Sequence, residues 1–216
     1  MEAEIVDRSP AQPDSGAKRR QVIDGARAVF LNVGFDGASM NDIARAAGVS
    51  KGTLYAYFDS KEQLFEALIR EERAQQAERL CVFPAEGGDP AELLRDFGRR
   101  LLEMVLRPEI IAQVRVVIAA TARFPQLGRT FYESGPHYGI QRLAARLASF
   151  SKAGTLAVED ADMAARQFTS LCCSDLQKQV LFGVVTSVTA EQIEAAVDSA
   201  LELFLKVYAP SAPPAA

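Results

Sequence analysis

Apolar residues recur at intervals of three and four along nearly the whole chain, the spacing that places them on one face of an α-helix. No alternation of apolar and polar residues and no Asn-Gly turn indicates a β-hairpin. The β-branched run 114–118 lies inside a longer three-and-four pattern that follows Pro108, so we predict a buried helix there. The pattern therefore predicts an all-α protein of about nine helices.

Glycine, proline and capping residues predict where these helices begin and end. The first helix is expected at 18–33, ending at Gly34, with short helices at 40–47 and 51–57. Polar pairs that match the capping box predict two further helix starts: Ser60 with Gln63, and Thr189 with Gln192. Two helices are predicted to start at Pro90 and Pro108. Another is predicted to start near Gln126 and to be interrupted at Gly135-Pro136. An unbroken eighth helix is predicted from Glu159 to Phe182.

These predicted helix boundaries divide the chain into an N-terminal three-helix domain and a larger C-terminal helical domain. We expect a disordered leader at 1–17, a helix-turn-helix domain at 18–61, a ligand-binding and dimerisation domain at 62–209, and a disordered tail at 210–216. The sequence contains no signal-peptide pattern and no run of about 18 apolar residues. A cytoplasmic location and no membrane partner are therefore expected.

Charge is distributed unevenly between these two domains. The chain carries a net charge of −4, which by itself argues against a nucleic-acid partner. Residues 17–61, however, contain seven basic and four acidic residues, a net charge of +3, which leaves −7 for the rest. This separation favours DNA binding by the N-terminal domain alone.

Cysteine and histidine usage excludes several kinds of site. Three cysteines, Cys81, Cys172 and Cys173, are an odd number with an adjacent pair, which is not a disulfide framework. We interpret them as small buried apolar residues in a reducing cytoplasm, with a redox sensor as the alternative. The single histidine, His137, excludes a His-rich metal site, and no metal or cofactor is predicted.

The most informative segment spans 39–58 and has the pattern of two short helices joined by a tight turn. Gly48 stands where the first helix must end with a positive φ, and Ala44 is small enough for the helices to cross closely. Ser50 is placed to cap the second helix. An apolar inner face is predicted from Ile43, Ala47, Val49, Leu54 and Phe58. This is the helix-turn-helix pattern, whose second helix enters the major groove.

The outward positions of this segment carry groups that recognise DNA. Lys51, Thr53 and Tyr55 are candidates for base contacts, because they offer an ammonium group, hydroxyls and apolar area. Gly52 allows close approach of the backbone, and other hydroxyl or basic side chains can hold phosphates. The predicted DNA-binding residues are Lys18, Arg19, Arg20, Ser39, Met40, Ser50, Lys51, Gly52, Thr53, Tyr55, Tyr57 and Lys61.

The segment 18–68 resembles the N-terminal domain of TetR-type repressors. The resemblance rests on Ala28-Val-Phe, Gly34-Phe-Asp-Gly, the segment 40–55 and the segment 57–65. The resemblance implies that three N-terminal helices bind DNA, that the C-terminal domain is divergent and binds a ligand, and that the protein is a homodimer on a palindromic operator. It also implies that the fourth helix links the ligand-binding domain to the DNA-binding domain. Farther along, Ala122-Arg-Phe-Pro-Gln-Leu-Gly-Arg-Thr-Phe-Tyr and Asp175-Leu-Gln are similar to the AefR-like subgroup.

The C-terminal domain would then hold a dimer interface and a ligand pocket. The apolar stripes of the last two helices face either a partner subunit, as the family implies, or the core of the same chain. The predicted interface residues are Met163, Leu171, Ile193, Val197, Ala200, Leu201 and Phe204. A mostly apolar pocket is predicted from Phe97, Leu101, Met104, Val114, Ile118, Phe131, Tyr132, His137, Phe168 and Cys172, most of which could equally be plain core.

Together these features predict a repressor released from its operator by a small hydrophobic or amphipathic inducer through a population shift. An enzyme is disfavoured, because the chain has one histidine, no phosphate-binding glycine loop and no paired-carboxylate signature. An architectural DNA binder is disfavoured by the acidic C-terminal domain. An activator with the same DNA-binding unit remains open from the sequence.

Overall fold

The structure is a computed structural model that describes residues 15–84 and 87–210. These residues are predominantly helical and form no strand, in agreement with the predicted fold class. Residues 1–14 of the predicted leader and 211–216 of the predicted tail lie outside the described residues, and α1 already begins at Ser15. The chain divides into two compact units, Met1–Leu68 and Ile69–Ala216, with the division inside the fourth helix.

The first unit consists of α1 (Ser15–Gly37), α2 (Met40–Ala46), α3 (Lys51–Tyr57) and the beginning of α4 (Lys61–Leu80). Gly34 has a φ of 73° and interrupts the regular course of α1 where its end was predicted. Glycine adopts this left-handed conformation without steric cost, and a short helical segment then continues to Gly37.

The described part of the second unit continues from α4 through seven further α-helices. They are α5 (Pro90–Val105), α6 (Pro108–Thr121), α7 (Pro125–Tyr132), α8 (Tyr138–Lys152), α9 (Ala161–Cys173), α10 (Leu176–Leu181) and α11 (Ala190–Tyr208). None of the helices in the described ranges is both long and apolar enough to cross a bilayer.

The predicted caps determine where several helices begin. At α11, Thr189 Oγ1 accepts from the Gln192 N–H at 3.3 Å, and Gln192 Oε1 accepts from the Thr189 N–H at 2.9 Å, which completes the predicted capping box. At α4, Ser60 Oγ accepts from the Gln63 N–H at 3.1 Å. Here Gln63 Oε1 accepts from the N–H of Asp59, one residue before the cap, so this box is displaced by one residue.

The predicted interruption at Gly135-Pro136 is a π-helical turn, Glu133–His137, which joins α7 directly to α8. Proline lacks the amide N–H that a helix interior needs, and a π turn accommodates an irregularity without leaving the helical conformation. The predicted unbroken eighth helix is wrong, because α9 ends at Cys173 and α10 starts at Leu176. Asp175 lies between them as the N-cap residue of α10 and accepts a hydrogen bond from the Gln179 side chain.

The core of the second unit is formed where α5 and α11 pack together with α9, while α8 packs on α9. The rings of Phe97, Phe168 and Phe204 lie at its centre, with centroids 6.4 Å apart for the first pair and 5.4 Å apart for the second. The run 114–118, which was predicted to be a buried helix, is helical but only partly buried. Within it, Val117 is buried and Ile118 is exposed.

Candidate nucleic-acid interface and ligand cavity

The turn between α2 and α3 has the geometry that the sequence predicted. Gly48 has a φ of 63°, and the N–H of Val49 donates to the carbonyl of Ala44 at 3.0 Å, closing the left-handed turn that ends α2. Of the five predicted inner-face residues, Val49 is half-buried. The buried ones are Ile43, Ala47, Leu54 and Phe58.

A close approach of α1 to this turn was not predicted. A Cβ atom placed on Gly25 would lie 2.6 Å from backbone atoms of Ala47, closer than atoms can approach. Beside this contact, Gln21 Nε2 donates to the Ala47 carbonyl at 2.7 Å, and Lys18 Nζ donates to Gln21 Oε1 at 3.0 Å. A glycine in the middle of a predicted helix was the available signal. Gly25 and Gln21 therefore position the helix-turn-helix on α1.

The outer face of α3 presents Lys51, Gly52 and Tyr55 to solvent. The Lys51 ammonium lies 5.8 Å from the centroid of the Tyr55 ring, so the two side chains cover one patch. Thr53 is half-buried, and its hydroxyl lies 2.8 Å from that of Ser50, whose Oγ also accepts from the Thr53 N–H at 3.0 Å. Ser50 thus caps α3, as predicted.

The remaining predicted contacts near α2 and α3 have defined surroundings. Ser39 caps α2, accepting from the Asp42 N–H at 3.2 Å and donating to Asp42 Oδ2 at 2.5 Å. Met40 and Tyr57 are half-buried. At the start of α1, Arg20 is exposed, whereas the Arg19 guanidinium lies 5.3 Å from the centroid of the Phe58 ring.

Lys61 has partners within its own chain. Its ammonium donates to the carbonyls of Phe35 at 2.7 Å and Ala38 at 3.0 Å, and lies 4.4 Å from the centroid of the Phe35 ring. That ring packs against Phe30 and Phe65, with centroids 5.8 and 5.1 Å away. Two of the three N–H donors of Lys61 therefore hold the segment after Gly34 against α4, which leaves at most one for a phosphate.

The second unit contains a cavity of about 280 Å³ bordered by residues of α4 to α10 and of the π turn. Most of its lining side chains are apolar. Five predicted pocket residues line it: Phe97, Leu101, Met104, Val114 and Phe131.

The other five predicted pocket residues lie elsewhere. Phe168 and Cys172 are buried among the core residues, and Ile118 is exposed because it points away from the helix face that packs inward. Tyr132 is also exposed, and its hydroxyl accepts from Arg166 at 3.0 Å. His137 stacks against Tyr132, and its buried Nδ1 has no hydrogen-bond partner among the described residues.

Two polar side chains of α4 that the sequence did not single out border the cavity. Arg73 is only 6% exposed, and its guanidinium donates to Gln113 Oε1 and lies 4.4 Å from the centroid of the Phe131 ring. Burial lowers the pKa of Arg73 to about 10, and the charge of Glu72 acts in the opposite direction. Gln76 also lines the cavity, and its buried Oε1 has no hydrogen-bond partner within 15–84 and 87–210.

The predicted interface residues fall into two groups. Met163 and Leu171 of α9 are exposed. The five residues of α11 are instead buried within the single chain, because this stripe packs against α5 and α9: Ile193, Val197, Ala200, Leu201 and Phe204. The sequence left open whether this stripe faces a partner subunit or the core of its own chain, and in the structure it faces the core of its own chain. The large apolar residues of α11 that are exposed are Leu203 and Val207.

The three cysteines are free thiols, of which Cys81 and Cys172 are buried and Cys173 is half-buried. Burial raises the pKa of Cys81 to about 11, of Cys172 to about 12 and of Cys173 to about 11. Such thiols stay protonated at neutral pH, whereas redox-sensing thiols need a lowered pKa. No group of three or more His, Cys, Asp or Glu side chains within the described ranges could hold a metal ion.

Comparison with known families gives matches in both units. The family model described as bacterial regulatory proteins, tetR family, matches residues 22–68. A second model, described as the AefR-like transcriptional repressor C-terminal domain, matches residues 92–210, which is more than half of the chain. Among curated proteins, the HTH-type transcriptional repressor Rv1474c of Mycobacterium tuberculosis is 41% identical over 61 residues, 28% of this chain and 33% of that relative. The chain thus matches only about a third of the length of that relative.

Solved structures extend the similarity to nearly the whole chain. A TetR-family transcriptional regulator from Mesorhizobium loti is 28% identical with a TM-score of 0.85, covering 92% of this chain and 100% of that chain. A structure described as the flavonoid-responsive regulator FrrA is 41% identical with a TM-score of 0.80, covering 91% and 100%. With the turn at Gly48 and the family models matched in both units, these similarities show that the chain belongs to the TetR family of transcriptional regulators, with a C-terminal domain of the AefR-like type.

Proposed function

We propose that the protein is a cytoplasmic transcriptional repressor that binds a palindromic operator as a homodimer and is released by a small hydrophobic or amphipathic ligand. The observation that carries this proposal is the outer face of α3, where Lys51 and Tyr55 form one exposed patch above a buried inner face. In helix-turn-helix proteins this face of the second helix meets base edges in the major groove.

The dimer is supported by exposed apolar residues on α9 and α11. On α9, Met163 and Leu171 lie eight residues apart, and on α11 Leu203 and Val207 lie four apart, so each pair shares one helix face. The Tyr208 hydroxyl donates to Gln167 Oε1 at 2.5 Å and ties the two helices together. We call the surface formed by Met163, Leu171, Leu203 and Val207 the α9–α11 face and propose that it pairs with its copy in a second subunit.

The ligand site is proposed in the cavity of the second unit. Its volume of about 280 Å³ lies just below the range of about 300–1,000 Å³ that is typical of small-molecule pockets. The 41% identity to a regulator described as flavonoid-responsive supports a ligand of the flavonoid type. Ligand binding would favour a conformation in which the two recognition helices of the dimer no longer match the half-sites, so operator affinity falls.

The test begins with selection of bound fragments from random DNA, followed by sequencing. We expect a palindrome whose half-sites lie about one helical turn or a multiple apart. Fluorescence anisotropy on that operator then measures release by 7-hydroxyflavone. Binding to arbitrary sequences without a palindrome would contradict the proposal.

A matched pair of variants on α6 tests the place of the ligand. Val114→Phe fills part of the cavity, so we expect operator binding to persist while release by 7-hydroxyflavone is lost. Ile118→Phe adds an aromatic ring at an exposed position of the same helix and should behave as the unmodified protein. Equal release from both variants would place the ligand elsewhere.

A further inference from the structure

Arg73 is held in place by three neighbouring elements of the second unit. Its guanidinium donates to Gln113 of α6 and faces the Phe131 ring of α7. Its side chain also runs against Gly135 of the π turn, where an added Cβ would lie 3.0 Å from Arg73 Cδ. A long, flexible side chain is thus fixed at the cavity wall, and the missing Cβ of Gly135 makes room for it.

The positive charge of Arg73 is not neutralised by direct contact. In the described part of the chain, no carboxylate lies within ion-pair distance of its guanidinium, and the path to Glu72 runs through Gln113, whose Nε2 donates to Glu72 Oε2 at 2.5 Å. A guanidinium has five N–H donors, and the bond to Gln113 Oε1 engages one of them. A buried cation at a mostly apolar cavity is costly unless an anion joins it.

Gln76 supplies a complementary group one helical turn farther along α4. Residues three apart on a helix are neighbours, so Arg73 and Gln76 present a donor and an acceptor side by side. Gln76 Oε1 is buried and unpaired among the described residues. An unsatisfied buried acceptor favours a ligand that brings a hydroxyl.

We propose that Arg73 is the specificity-determining residue of the cavity, selecting apolar aromatic ligands that carry an acidic hydroxyl, with Gln76 accepting from an adjacent second hydroxyl. The proposal rests on the proposed function, because it assigns the polar edge of the same ligand site. A phenolate oxygen would accept from the free N–H groups of Arg73 in a charge-assisted hydrogen bond, while the apolar lining covers the rings.

Matched flavones test this in the unmodified protein by isothermal titration calorimetry. 7-Hydroxyflavone should bind about 10- to 100-fold more tightly than 7-methoxyflavone, which keeps the rings but can form no phenolate. The affinity for 7-hydroxyflavone should rise between pH 6 and 8.5, as its phenol ionises, and that for 7-methoxyflavone should not. Arg73 remains charged throughout this range, because its pKa is about 10.

Variants of α4 identify the residue responsible. Arg73→Met should abolish the preference for the hydroxyl while 7-methoxyflavone still binds, and Arg73→Lys should restore part of it. Arg79→Met, the same change at an exposed position of the same helix that does not line this cavity, should retain the full preference. 7,8-Dihydroxyflavone should bind about 2- to 10-fold more tightly than 7-hydroxyflavone, a gain that Gln76→Met removes.

The outcomes separate this inference from the proposed function. If both flavones bind equally and release the operator, the assignment of Arg73 is wrong while ligand-released repression stands. The assignment is also wrong if Arg73→Met keeps the preference for the hydroxyl. If the selected operator is bound but neither flavone binds the protein, both the assignment of Arg73 and the proposed ligand class are wrong.

Discussion

At the scale of single residues, two lysines of the first unit have different surroundings although the sequence makes them look alike. Lys51 lies exposed at the beginning of α3 beside Tyr55, with its ammonium directed along the outer face. Lys61 is half-buried and donates to two carbonyls in the segment that follows Gly34. The first is free to meet a base or phosphate, and the second stabilises the unit that carries α3.

Substitution of each lysine by methionine should therefore have a different effect. Lys51→Met is expected to weaken operator binding by about 10-fold or more while the unfolding midpoint is unchanged. Lys61→Met is expected to lower the unfolding free energy by about 1–3 kcal/mol, because two carbonyls lose their donor. Thermal denaturation and fluorescence anisotropy measure the two effects separately. An unchanged unfolding midpoint for Lys61→Met would show that the internal hydrogen bonds contribute little.

The cysteines give a prediction about pH. Because burial raises the pKa of all three thiols from an ordinary value of 9.0 to about 11 or 12, thiolate is scarce at pH 8. Alkylation of the native protein by iodoacetamide should be slow at pH 8 and fast only after denaturation. The protonated thiols are favoured by folding, so stability should fall as pH rises above 9. Rapid alkylation of the native protein at pH 8 would instead favour the redox-sensor alternative.

At the scale of helices and turns, positions with local chemistry were predictable and positions set by packing were not. Gly48 and the Thr189 cap act on their own backbone, so the sequence was enough to place the turn and the start of α11. At Gly135-Pro136 the sequence predicted the interruption but not its π-helical form. The contact between Gly25 and Ala47 joins residues far apart in the chain, and periodicity contains no information about it.

The apolar stripe of α11 and the lining of the cavity were likewise not predictable from local sequence, because both depend on packing. A helical stripe such as Val197 and Phe204 has one apolar face whether it meets its own core or a partner, and only the packing of α5 and α9 decides between them. Arg73 was not predicted to line the cavity, because a basic residue in a long polar helix is usually exposed. Its burial follows from the neighbouring α6, α7 and π turn.

The crossing of α1 over the helix-turn-helix provides a test at this scale. Gly25→Ala should lower the unfolding free energy by about 1–3 kcal/mol, because the new methyl group would collide with the backbone of Ala47. Gly52→Ala makes the same change in α3, where the nearest atom, Ser50 Oγ, is 3.9 Å away, and should be neutral or slightly stabilising. Chemical denaturation of both variants measures the difference. Equal stability of the two variants would mean that α1 and Ala47 can move apart without a cost in folding free energy.

At the scale of the whole molecule, the proposed dimer depends on the α9–α11 face. Leu203→Glu places a charge on this exposed surface without touching the buried stripe, so we expect the dimer to dissociate at micromolar concentration. Gln75→Glu adds the same charge at an exposed position of α4 and should leave the mass unchanged. Analytical ultracentrifugation distinguishes the two. A Leu203→Glu variant that stays dimeric would show that the interface lies elsewhere.

All the side chains that line the cavity follow Ile69, while the exposed patch of α3 precedes Leu68. Substitutions that alter which compound is recognised therefore fall on different residues from those that alter which DNA sequence is read. Each specificity can drift over evolution without a compensating change in the other. The same separation suits the chain to use as a genetically encoded biosensor, in which the response to new compounds is selected by mutating the cavity while one reporter promoter is kept.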